Sequence, residues 1–130
     1  MKSFAAMLAL ASAAPVFAAS GPHPFDVHDL VMMDRVSDPA LSPDGKVVAF
    51  SLRETDYDAN KGLNSIWIVP AGGGKTVRLT DKALNATSAR WSADGSVWFI
   101  APKDGTAQLW RVGASGGAAQ QATTLAMDVN

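Results

Sequence analysis

The stretch Leu41-Ser42-Pro43-Asp44-Gly45, followed by the apolar run 47–50, decides the fold because it occurs twice. A second copy, Trp91-Ser92-Ala93-Asp94-Gly95, stands fifty positions later and leads into the apolar run 97–100. Each copy continues into another apolar segment that ends before a glycine cluster, at residues 66–69 and 109–112. A fixed period of roughly 20–50 residues is typical of stacked supersecondary units, so the sequence predicts a repeat protein.

Short strands and tight turns are predicted throughout both copies. Pro43 sets φ at the second turn position and Gly45 accepts positive φ, so the Asp-Gly segment should turn tightly. Pro39 disfavours a helical conformation at Asp38, and we expect the chain to be extended there. The predicted strands of the first copy are 46–52, 65–70 and 76–79, with a polar hairpin loop at 53–63. Those of the second copy are 88–91, 97–102, 108–112 and 119–123, with a tight loop at 103–106.

A propeller blade is a unit of four short antiparallel strands, so the three strands predicted in the first copy and the four in the second predict an all-β fold made of WD-like β-propeller blades. An open β-meander or the edge of a β-sandwich would also space strands regularly, but the aligned Asp-Gly turns and glycine clusters favour blades. Two blades do not close a ring, because propellers typically need about 4–8. We therefore expect about two blades of an incomplete propeller, belonging either to a fragment or to a short protein that assembles its ring from several copies.

The first residues follow the three-part pattern of a secretory signal peptide rather than that of a membrane anchor. Lys2 supplies a positive charge, and the apolar stretch 4–14 is too short to span a bilayer as a helix. Small residues follow, so cleavage is predicted after Ala18, with cleavage after Ala19 as the second choice. The mature chain is then expected to be periplasmic or secreted, without a membrane anchor after cleavage.

Composition narrows the possible partners. The sequence contains no cysteine, so it uses no disulfide bonds and has no N-terminal cysteine that could carry a lipid. The formal net charge is −1, and no basic stripe is present, so nucleic acid is not expected as a partner.

The predicted organisation has four segments: a signal peptide at 1–18, a linker with a short docking helix at 19–40, blade one at 41–86 and a truncated blade two at 87–130. The helix is predicted at 27–33, with Asp26 as its N-cap and Asp29 in its first turn. Its apolar residues Val27, Leu30 and Val31 share one face. Because so short a helix is marginal in water by itself, we expect that face to dock.

Two loops imitate ligand-binding motifs. Residues 72–76 end like a phosphate-binding loop, but Val69 stands where that motif needs its first glycine, and a strand rather than a helix is predicted to follow. The hairpin loop has the alternating oxygen ligands of a calcium loop, but Lys61 interrupts the spacing and no glutamate closes it. Its ligand-like residues are Asp56, Asp58, Asn60 and Gly62. A phosphate site is rejected, and a solvated hairpin tip is preferred to a calcium site.

The remaining candidates are also read as structural. His23 and His28 are the two histidines of the sequence, and no further histidine or cysteine completes a metal site with them. Asn85-Ala86-Thr87 is a glycosylation sequon that matters in a eukaryotic secretory pathway. The four tryptophans are expected to pack between blades, and they are Trp67, Trp91, Trp98 and Trp110. We therefore assign no catalytic, cofactor-binding or metal-binding residue and expect no cofactor.

Three segments carry a family resemblance: Phe25-Asp26-Val27-His28-Asp29-Leu30, Arg35-Val36-Ser37-Asp38-Pro39 and residues 41–50. Together they resemble the start of bacterial prolyl oligopeptidase-family serine peptidases, in particular the dipeptidyl-aminopeptidase and acylaminoacyl-peptidase branch. The resemblance implies a propeller that caps a following α/β-hydrolase domain and admits short or unfolded peptides. It also implies a catalytic serine in a Gly-x-Ser-x-Gly elbow, with aspartate and histidine further on.

None of that catalytic machinery is found in this sequence. It has no Gly-x-Ser-x-Gly, Ser115-Gly116-Gly117 is a turn sequence, and both histidines precede the first blade. The chain is therefore predicted to be inactive by itself and to be the N-terminal propeller portion of an exported serine peptidase that cleaves oligopeptides. Its expected partners are the hydrolase domain and, through the longer protein, the peptide substrate. The alternative is a piece of a non-catalytic periplasmic Tol-type propeller that binds proteins, which the lack of a separate domain before the blades disfavours.

Overall fold

The computed structural model describes residues 23–129, so the predicted signal peptide at 1–18 lies outside the described residues. The described chain begins with helix α1, Val27–Met32, and contains one 3₁₀ helix, Lys82–Leu84. The strands of the first half are β1 Arg35–Leu41, β2 Val47–Asp56, β3 Lys61–Pro70 and β4 Val77–Arg78. Those of the second half are β5 Thr87–Trp91, β6 Ser96–Lys103, β7 Thr106–Gly113 and β8 Gln120–Gln121. No helix in residues 23–129 is both long and apolar enough to cross a membrane.

The strands form two four-stranded antiparallel sheets in the orders β1-β2-β3-β4 and β5-β6-β7-β8. Each sheet is a meander in which consecutive strands are neighbours, and each ends in a strand of two residues. This is the arrangement of a propeller blade, so the all-β blade prediction is confirmed.

The first sheet begins at Arg35, inside the segment that was predicted as a linker up to residue 40. This strand was not predicted because it contains Pro39, and proline lacks the backbone N–H that regular strand pairing needs. The structure places Pro39 in a bulge, where the pairing of β1 with β2 shifts between Ser37 and Ala40. The expected extended conformation of Asp38 is wrong, since its φ is 53°. The second sheet repeats the bulge, with φ 59° at Ser88.

The hairpin between β2 and β3 is longer than predicted. Most of the expected loop at 53–63 is paired strand, and the ladder continues to the pair Asp56 and Lys61. The polar residues there were interpreted as a loop. A hairpin arm that extends past the core keeps its backbone hydrogen bonds, but its side chains are exposed to water, so it carries the same polar residue types as a loop. In the second sheet the corresponding hairpin closes at Lys103 and Thr106.

The repeat is not uniform along the two copies. Ser42 N donates to Val47 O at 2.8 Å, whereas Ser92 N donates to Ser96 O at 2.9 Å, so the second turn is one residue shorter. The fifty-residue offset therefore becomes forty-nine after the turn, and Phe50 corresponds to Phe99 rather than to Ile100. A shift of one residue exchanges the two faces of a strand, so this difference decides which side chains are equivalent.

We name the two sides of each sheet by equivalent residues. The A face carries Ala49, Ser51, Ile66 and Ile68 in the first sheet and Trp98, Ile100, Leu109 and Arg111 in the second. The B face carries Val48, Phe50, Leu52 and Trp67 in the first sheet and Val97, Phe99, Ala101 and Trp110 in the second.

The core lies where the A face of the first sheet meets the B face of the second. Ile66 and Phe99, one from each of these faces, are both 0 % exposed and belong to one apolar cluster. Trp91 crosses the junction, since its Nε1 donates to Ala40 O at 2.8 Å. The other buried apolar members of the cluster are Ala49, Leu79, Ala86, Ala89, Val97, Ala101 and Val112.

The chain leaves both sheets in the same way. Asn85 Oδ1 accepts hydrogen bonds from Asn64 N and Nδ2, both at 2.9 Å, after the first sheet. After the second sheet, Asp128 Oδ1 accepts from Ala107 N at 2.6 Å. The backbone repeats this, with Ala86 N donating to Asn64 O at 3.1 Å and Val129 N to Ala107 O at 3.2 Å. Side-chain acceptors thus hold the exit segments against the hairpin ends.

Helix α1 begins as predicted and ends one residue earlier. Asp26 Oδ1 accepts from His28 N at 2.8 Å and from Asp29 N at 3.1 Å, and Asp29 Oδ2 accepts from Asp26 N at 3.0 Å, which is a capping box. The His28 ring meets Tyr57 edge to face at 4.7 Å. Within the described residues the expected docking face stays open, since Val27 is 75 % and Leu30 54 % exposed.

Candidate functional site

The two Asp-Gly turns face each other across a cleft of about 350 Å³ at one end of the blade pair. Their approach follows from the stacking, because the equivalent turn of each sheet lies at the same end. The lining residues are Ser42, Pro43, Asp44, Val47, Trp91, Ala93, Asp94, Gly95 and Ala114. The titratable side chains among them are those of Asp44 and Asp94, so the cleft lacks the histidine that activates the serine in a Ser-His-Asp triad.

The aspartates of these turns accept hydrogen bonds from serine hydroxyl and backbone N–H groups of their own turns. Asp44 Oδ1 accepts from Ser42 Oγ at 2.7 Å and from Lys46 N at 3.2 Å. Asp94 Oδ1 accepts from Ser96 Oγ at 2.7 Å and from Ser96 N at 2.9 Å. Gly45 and Gly95 follow with φ of 72° and 79°, which favours glycine at both positions. Each carboxylate therefore closes a turn.

These hydrogen bonds keep both carboxyl groups ionised. The Ser42 hydroxyl and then the Lys46 N–H lower the pKa of Asp44 below its ordinary value. The Ser96 hydroxyl and then its N–H lower the pKa of Asp94. Donors to a charged carboxylate favour the charged form, and both groups are exposed to water. A lowered pKa disqualifies them as general acids at neutral pH, which agrees with a structural role.

The glycine-rich segment 72–76 is an exposed turn that enters β4. Gly73 and Gly74 have φ of 90° and 138°, and Gly116 and Gly117 repeat this with 88° and 115° before β8. A phosphate-binding loop needs a following helix whose N–H groups point at the phosphate. The structure has the strand β4 there, as predicted, and no helix N-terminus follows these glycines.

The calcium-like loop is the tip of the β2–β3 hairpin. Asp56 Oδ1 accepts from Ala59 N at 3.0 Å, and Asn60 has φ 48°, so both residues serve the turn. Gly62 lies under the Arg53 guanidinium, and a Cβ there would overlap it. Asp56, Asn60 and Gly62 thus have structural roles at the hairpin tip.

The two histidines do not form a pair. His28 lies on Tyr57, whereas His23 Nε2 lies 3.6 Å from Asp29 Oδ1. Potential ligand atoms of His23, Asp26 and Asp29 lie within 4.8 Å of one another, a group that sequence reasoning missed. The Asp-x-x-Asp spacing at a helix start was the available signal, but it indicates the capping box, which engages both carboxylates.

The sequon and three tryptophans have structural partners. Asn85 holds the exit from the first sheet, and its φ of 49° suits asparagine. Trp67 Nε1 donates to Ser65 Oγ at 2.9 Å, and Trp110 Nε1 donates to Ala101 O at 3.2 Å. Trp98 differs, because it lines an open groove of about 330 Å³ on the A face of the second sheet. Trp67 lies on the B face of the first sheet, which does not meet the second sheet. The expectation that all four pack between blades is therefore wrong for Trp67 and Trp98 within the described chain.

The repeated geometry agrees with a family match over residues 26–129, which align with the family described as Lipoprotein LpqB beta-propeller domain. The chain belongs to this family. The match covers all the secondary structure described above, so both sheets are blades of this LpqB-type propeller. The family assignment therefore confirms the blade prediction.

Relatives of this LpqB-type propeller are peptidases. The chain is 30 % identical over 104 residues to Uncharacterized peptidase YuxL of Bacillus subtilis, a match covering 78 % of the chain and 16 % of that protein. It is 33 % identical over 78 residues to Dipeptidyl-peptidase 5 of Porphyromonas gingivalis, covering 59 % of the chain and 11 % of that protein. The predicted relation to this peptidase group is confirmed, and the chain spans less than a fifth of each relative.

Solved structures agree on the fold. The apo AtxE2 isopeptidase superimposes with a TM-score of 0.69 at 18 % identity, over 81 % of this chain and 21 % of that one. An acylaminoacyl peptidase in complex with Z-Gly-Gly-Phe-chloromethyl ketone gives 0.61 at 25 % identity, over 74 % and 15 %. A putative TolB from Agrobacterium tumefaciens gives 0.59 at 23 % identity, over 72 % and 32 %. The LpqB-type propeller thus resembles propellers of both peptidases and TolB-like proteins.

Proposed function

We propose that this chain is the N-terminal propeller portion of an exported serine peptidase of the prolyl oligopeptidase family, one that cleaves oligopeptides. Its two blades contribute to a wall that restricts substrate access to an α/β-hydrolase domain, which supplies the catalytic groups. The observation that supports this best is the 30 % identity to the peptidase YuxL over 104 residues, a match that covers 78 % of the chain.

The role assigned to the blades is steric and not chemical. The cleft between the Asp-Gly turns holds two ionised carboxylates and no acid–base partner. An acyl-transfer peptidase needs a nucleophile, a base and oxyanion donors at one point. The blades therefore act on substrates by excluding large ones, and cleavage belongs to a different part of the longer protein.

Activity of the chain by itself tests the inactive role. Residues 1–130, purified and incubated with aminoacyl-p-nitroanilides, should release nitroaniline at the background rate. Turnover above background that co-purifies with the chain and is lost on heating would contradict the proposal. The coding DNA beyond residue 130 provides the positive test, since it should encode Gly-x-Ser-x-Gly followed by aspartate and histidine.

Export and processing form a separate part of the proposal. The charged start, the short apolar stretch and the small residues up to Ala18 support it. Expression in a bacterial host should yield a periplasmic product whose mass corresponds to an N-terminus at Ala19. A chain that retains Met1 and stays in the cytoplasm would contradict export but would leave the proposed peptidase relation untouched.

A second candidate is a piece of a non-catalytic Tol-type propeller that binds proteins. The superposition on the putative TolB at a TM-score of 0.59 favours it. The two candidates differ in the longer protein, which should hydrolyse aminoacyl-p-nitroanilides and react with an active-site serine reagent in the first case. In the second case neither signal should be observed.

A further inference from the structure

We propose that Asp104 is a site of spontaneous covalent modification, at which the aspartyl side chain closes a ring with the next backbone nitrogen and reopens to an isoaspartyl linkage. The sequence has three Asp-Gly pairs, namely Asp44-Gly45, Asp94-Gly95 and Asp104-Gly105. The fold protects the first two pairs and leaves the third unprotected. The inference does not rest on the proposed peptidase relation.

The reaction needs an aspartate, the residue after it and water. The glycine nitrogen attacks the aspartate Cγ, a C–N bond forms, and the hydroxyl of the carboxyl group leaves with the amide hydrogen as water. Water then opens the cyclic imide at either carbonyl, which restores aspartate or leaves the main chain running through the side-chain carboxyl carbon. No atom is oxidised or reduced. Glycine favours the attack, because it has no Cβ to obstruct the nitrogen and its backbone is the least restricted.

The first pair is held out of this reaction by its own turn. Asp44 Oδ1 accepts from Ser42 Oγ at 2.7 Å and from Lys46 N at 3.2 Å. The nitrogen that would attack, Gly45 N, donates to Ser42 O at 2.9 Å. Ring closure turns the carboxyl carbon and the glycine nitrogen towards each other, so it would break all three hydrogen bonds.

The second pair is protected in the same way. Asp94 Oδ1 accepts from Ser96 Oγ at 2.7 Å and from Ser96 N at 2.9 Å, and Gly95 N donates to Ser92 O at 3.0 Å. In both turns the serine hydroxyl and then the backbone N–H lower the pKa of the aspartate. A carboxylate that stays ionised is a poor target for a nucleophile, so the same donors oppose the reaction twice.

The third pair has none of these restraints. Asp104 and Gly105 form the two-residue loop between β6 and β7, and their φ values of 53° and 85° are those of a type I′ hairpin turn. Within residues 23–129 the Asp104 carboxylate accepts no hydrogen bond and the Gly105 N–H donates none. The Asp104 side chain is 86 % exposed, and its contact with Lys103 Nζ at 3.8 Å is a surface ion pair of the kind that contributes little.

The difference in hydrogen bonding sets the expected difference in rate. Three hydrogen bonds, two of them to a charged group, are enough to slow ring closure by about tenfold or more, so Asp104 should react at least about tenfold faster than Asp44 or Asp94. The product adds a methylene group to the main chain of a loop whose two-residue geometry matches the twist of the flanking strands. Pairing of Lys103 with Thr106, the last pair of the hairpin, should loosen as a result.

Peptide mapping of the aged full chain, with electron-transfer fragmentation to locate isoaspartate, tests the proposal. The folded chain is incubated near neutral pH in heavy-oxygen water, so that each ring opening leaves one solvent oxygen in the product. Isoaspartate and heavy oxygen should accumulate at Asp104 at least about tenfold faster than at Asp44 and Asp94. In urea, where the turns are lost, the three rates should become similar. Similar rates in the folded chain, or an undiminished excess at Asp104 in urea, would overturn the proposal.

Two variants test the protection itself. Ser96→Ala removes the hydroxyl donor to Asp94 and should raise the rate there, while the rate at Asp44 stays low and reports that the variant is still folded. Asp104→Gly retains a turn that suits a two-residue hairpin and should abolish the signal from that loop without changing the other two sites. An unchanged rate at Asp94 in the folded Ser96→Ala variant would contradict the protective role of these hydrogen bonds.

Discussion

The two blades share one backbone plan but use their A faces differently. In the first blade this face carries Ala49 and Ile66, both fully buried beneath the second blade. In the second blade the equivalent positions carry Trp98 and Leu109, which line an open groove. The comparison teaches that the repeated turn motif fixes the path of the chain, while the residues between the motifs decide which side of a blade is covered.

The largest difference between the blades is expected at the paired phenylalanines. Phe99→Ala removes the largest fully buried side chain and should cost about 3–5 kcal/mol of unfolding free energy. Phe50→Ala, at the half-buried equivalent, should cost clearly less, because water already reaches that ring. Urea unfolding followed by tryptophan fluorescence, with both variants at a concentration where the chain is monomeric, measures the two values. Equal losses would show that the B faces are equally covered in solution.

The exits from the two blades provide the next comparison. Asn85→Ala removes the acceptor of two hydrogen bonds from Asn64 and places alanine at φ 49°, so a loss of about 1–3 kcal/mol is expected. Asp128→Ala removes one bond to the exposed Ala107 N–H and should cost less. Asn85→Gly is the matched control, since it tolerates the positive φ and isolates the hydrogen bonds. If Asn85→Gly equalled the wild type, the bonds would be of no consequence.

Much of this architecture was readable from the sequence. The Asp-Gly turns and the glycine clusters fixed the number of sheets, because positive φ at Gly45, Gly73 and Gly116 is a local requirement that glycine meets. The strand β1 was missed because Pro39 conceals it, and a proline in a bulge cannot be distinguished by type from one that ends a strand. The extension of the hairpin to Asp56 was missed because exposed arms carry the same residues as loops.

The candidate site could be predicted less well than the fold. The turn role of Asp44 and Asp94 could be predicted from the residues beside them. Asp26 was predicted as the N-cap of α1 and Asp29 as an acidic residue of its first turn, but the reciprocal hydrogen bonds of the capping box were not predicted. The cleft between the two turns was not visible, because it depends on how the sheets stack. The one-residue difference in length between the two turns was also not predicted. Because of it, the residue of the second blade that is equivalent to Phe50 is Phe99 and not Ile100. The register of a strand depends on its backbone pairing, which the repeated residue types do not reveal.

Two buried serines allow a finer comparison between the A face and the B face of the first blade. Ser51, on the A face, is 2 % exposed, and its Oγ has no hydrogen-bond partner within the described residues. Ser65, on the B face, accepts from Trp67 Nε1. Ser51→Ala should leave unfolding free energy unchanged or raise it, whereas Ser65→Ala should lower it by about 1 kcal/mol. A marked destabilisation by Ser51→Ala would point to a bound water on that hydroxyl.

The smallest expected effect concerns the acid sensitivity of the paired turns. A carboxyl group whose pKa is lowered on folding stabilises the folded state above its unfolded pKa, and that contribution is lost as the pH falls through the lower folded pKa. For Asp44 and Asp94 the ordinary value is 3.8, so the loss should occur below that pH.

Asp44→Asn and Asp94→Asn should each flatten the fall of unfolding free energy in that acidic range and leave its slope near neutral pH unchanged. Because both carboxyl groups are exposed, each change should be small and of similar size in the two turns. Urea unfolding at a series of pH values measures it, with Asp58→Asn, at the exposed hairpin tip, as the control. A change of slope near pH 7 would indicate that these aspartates face a titrating partner and not only the donors of their own turns.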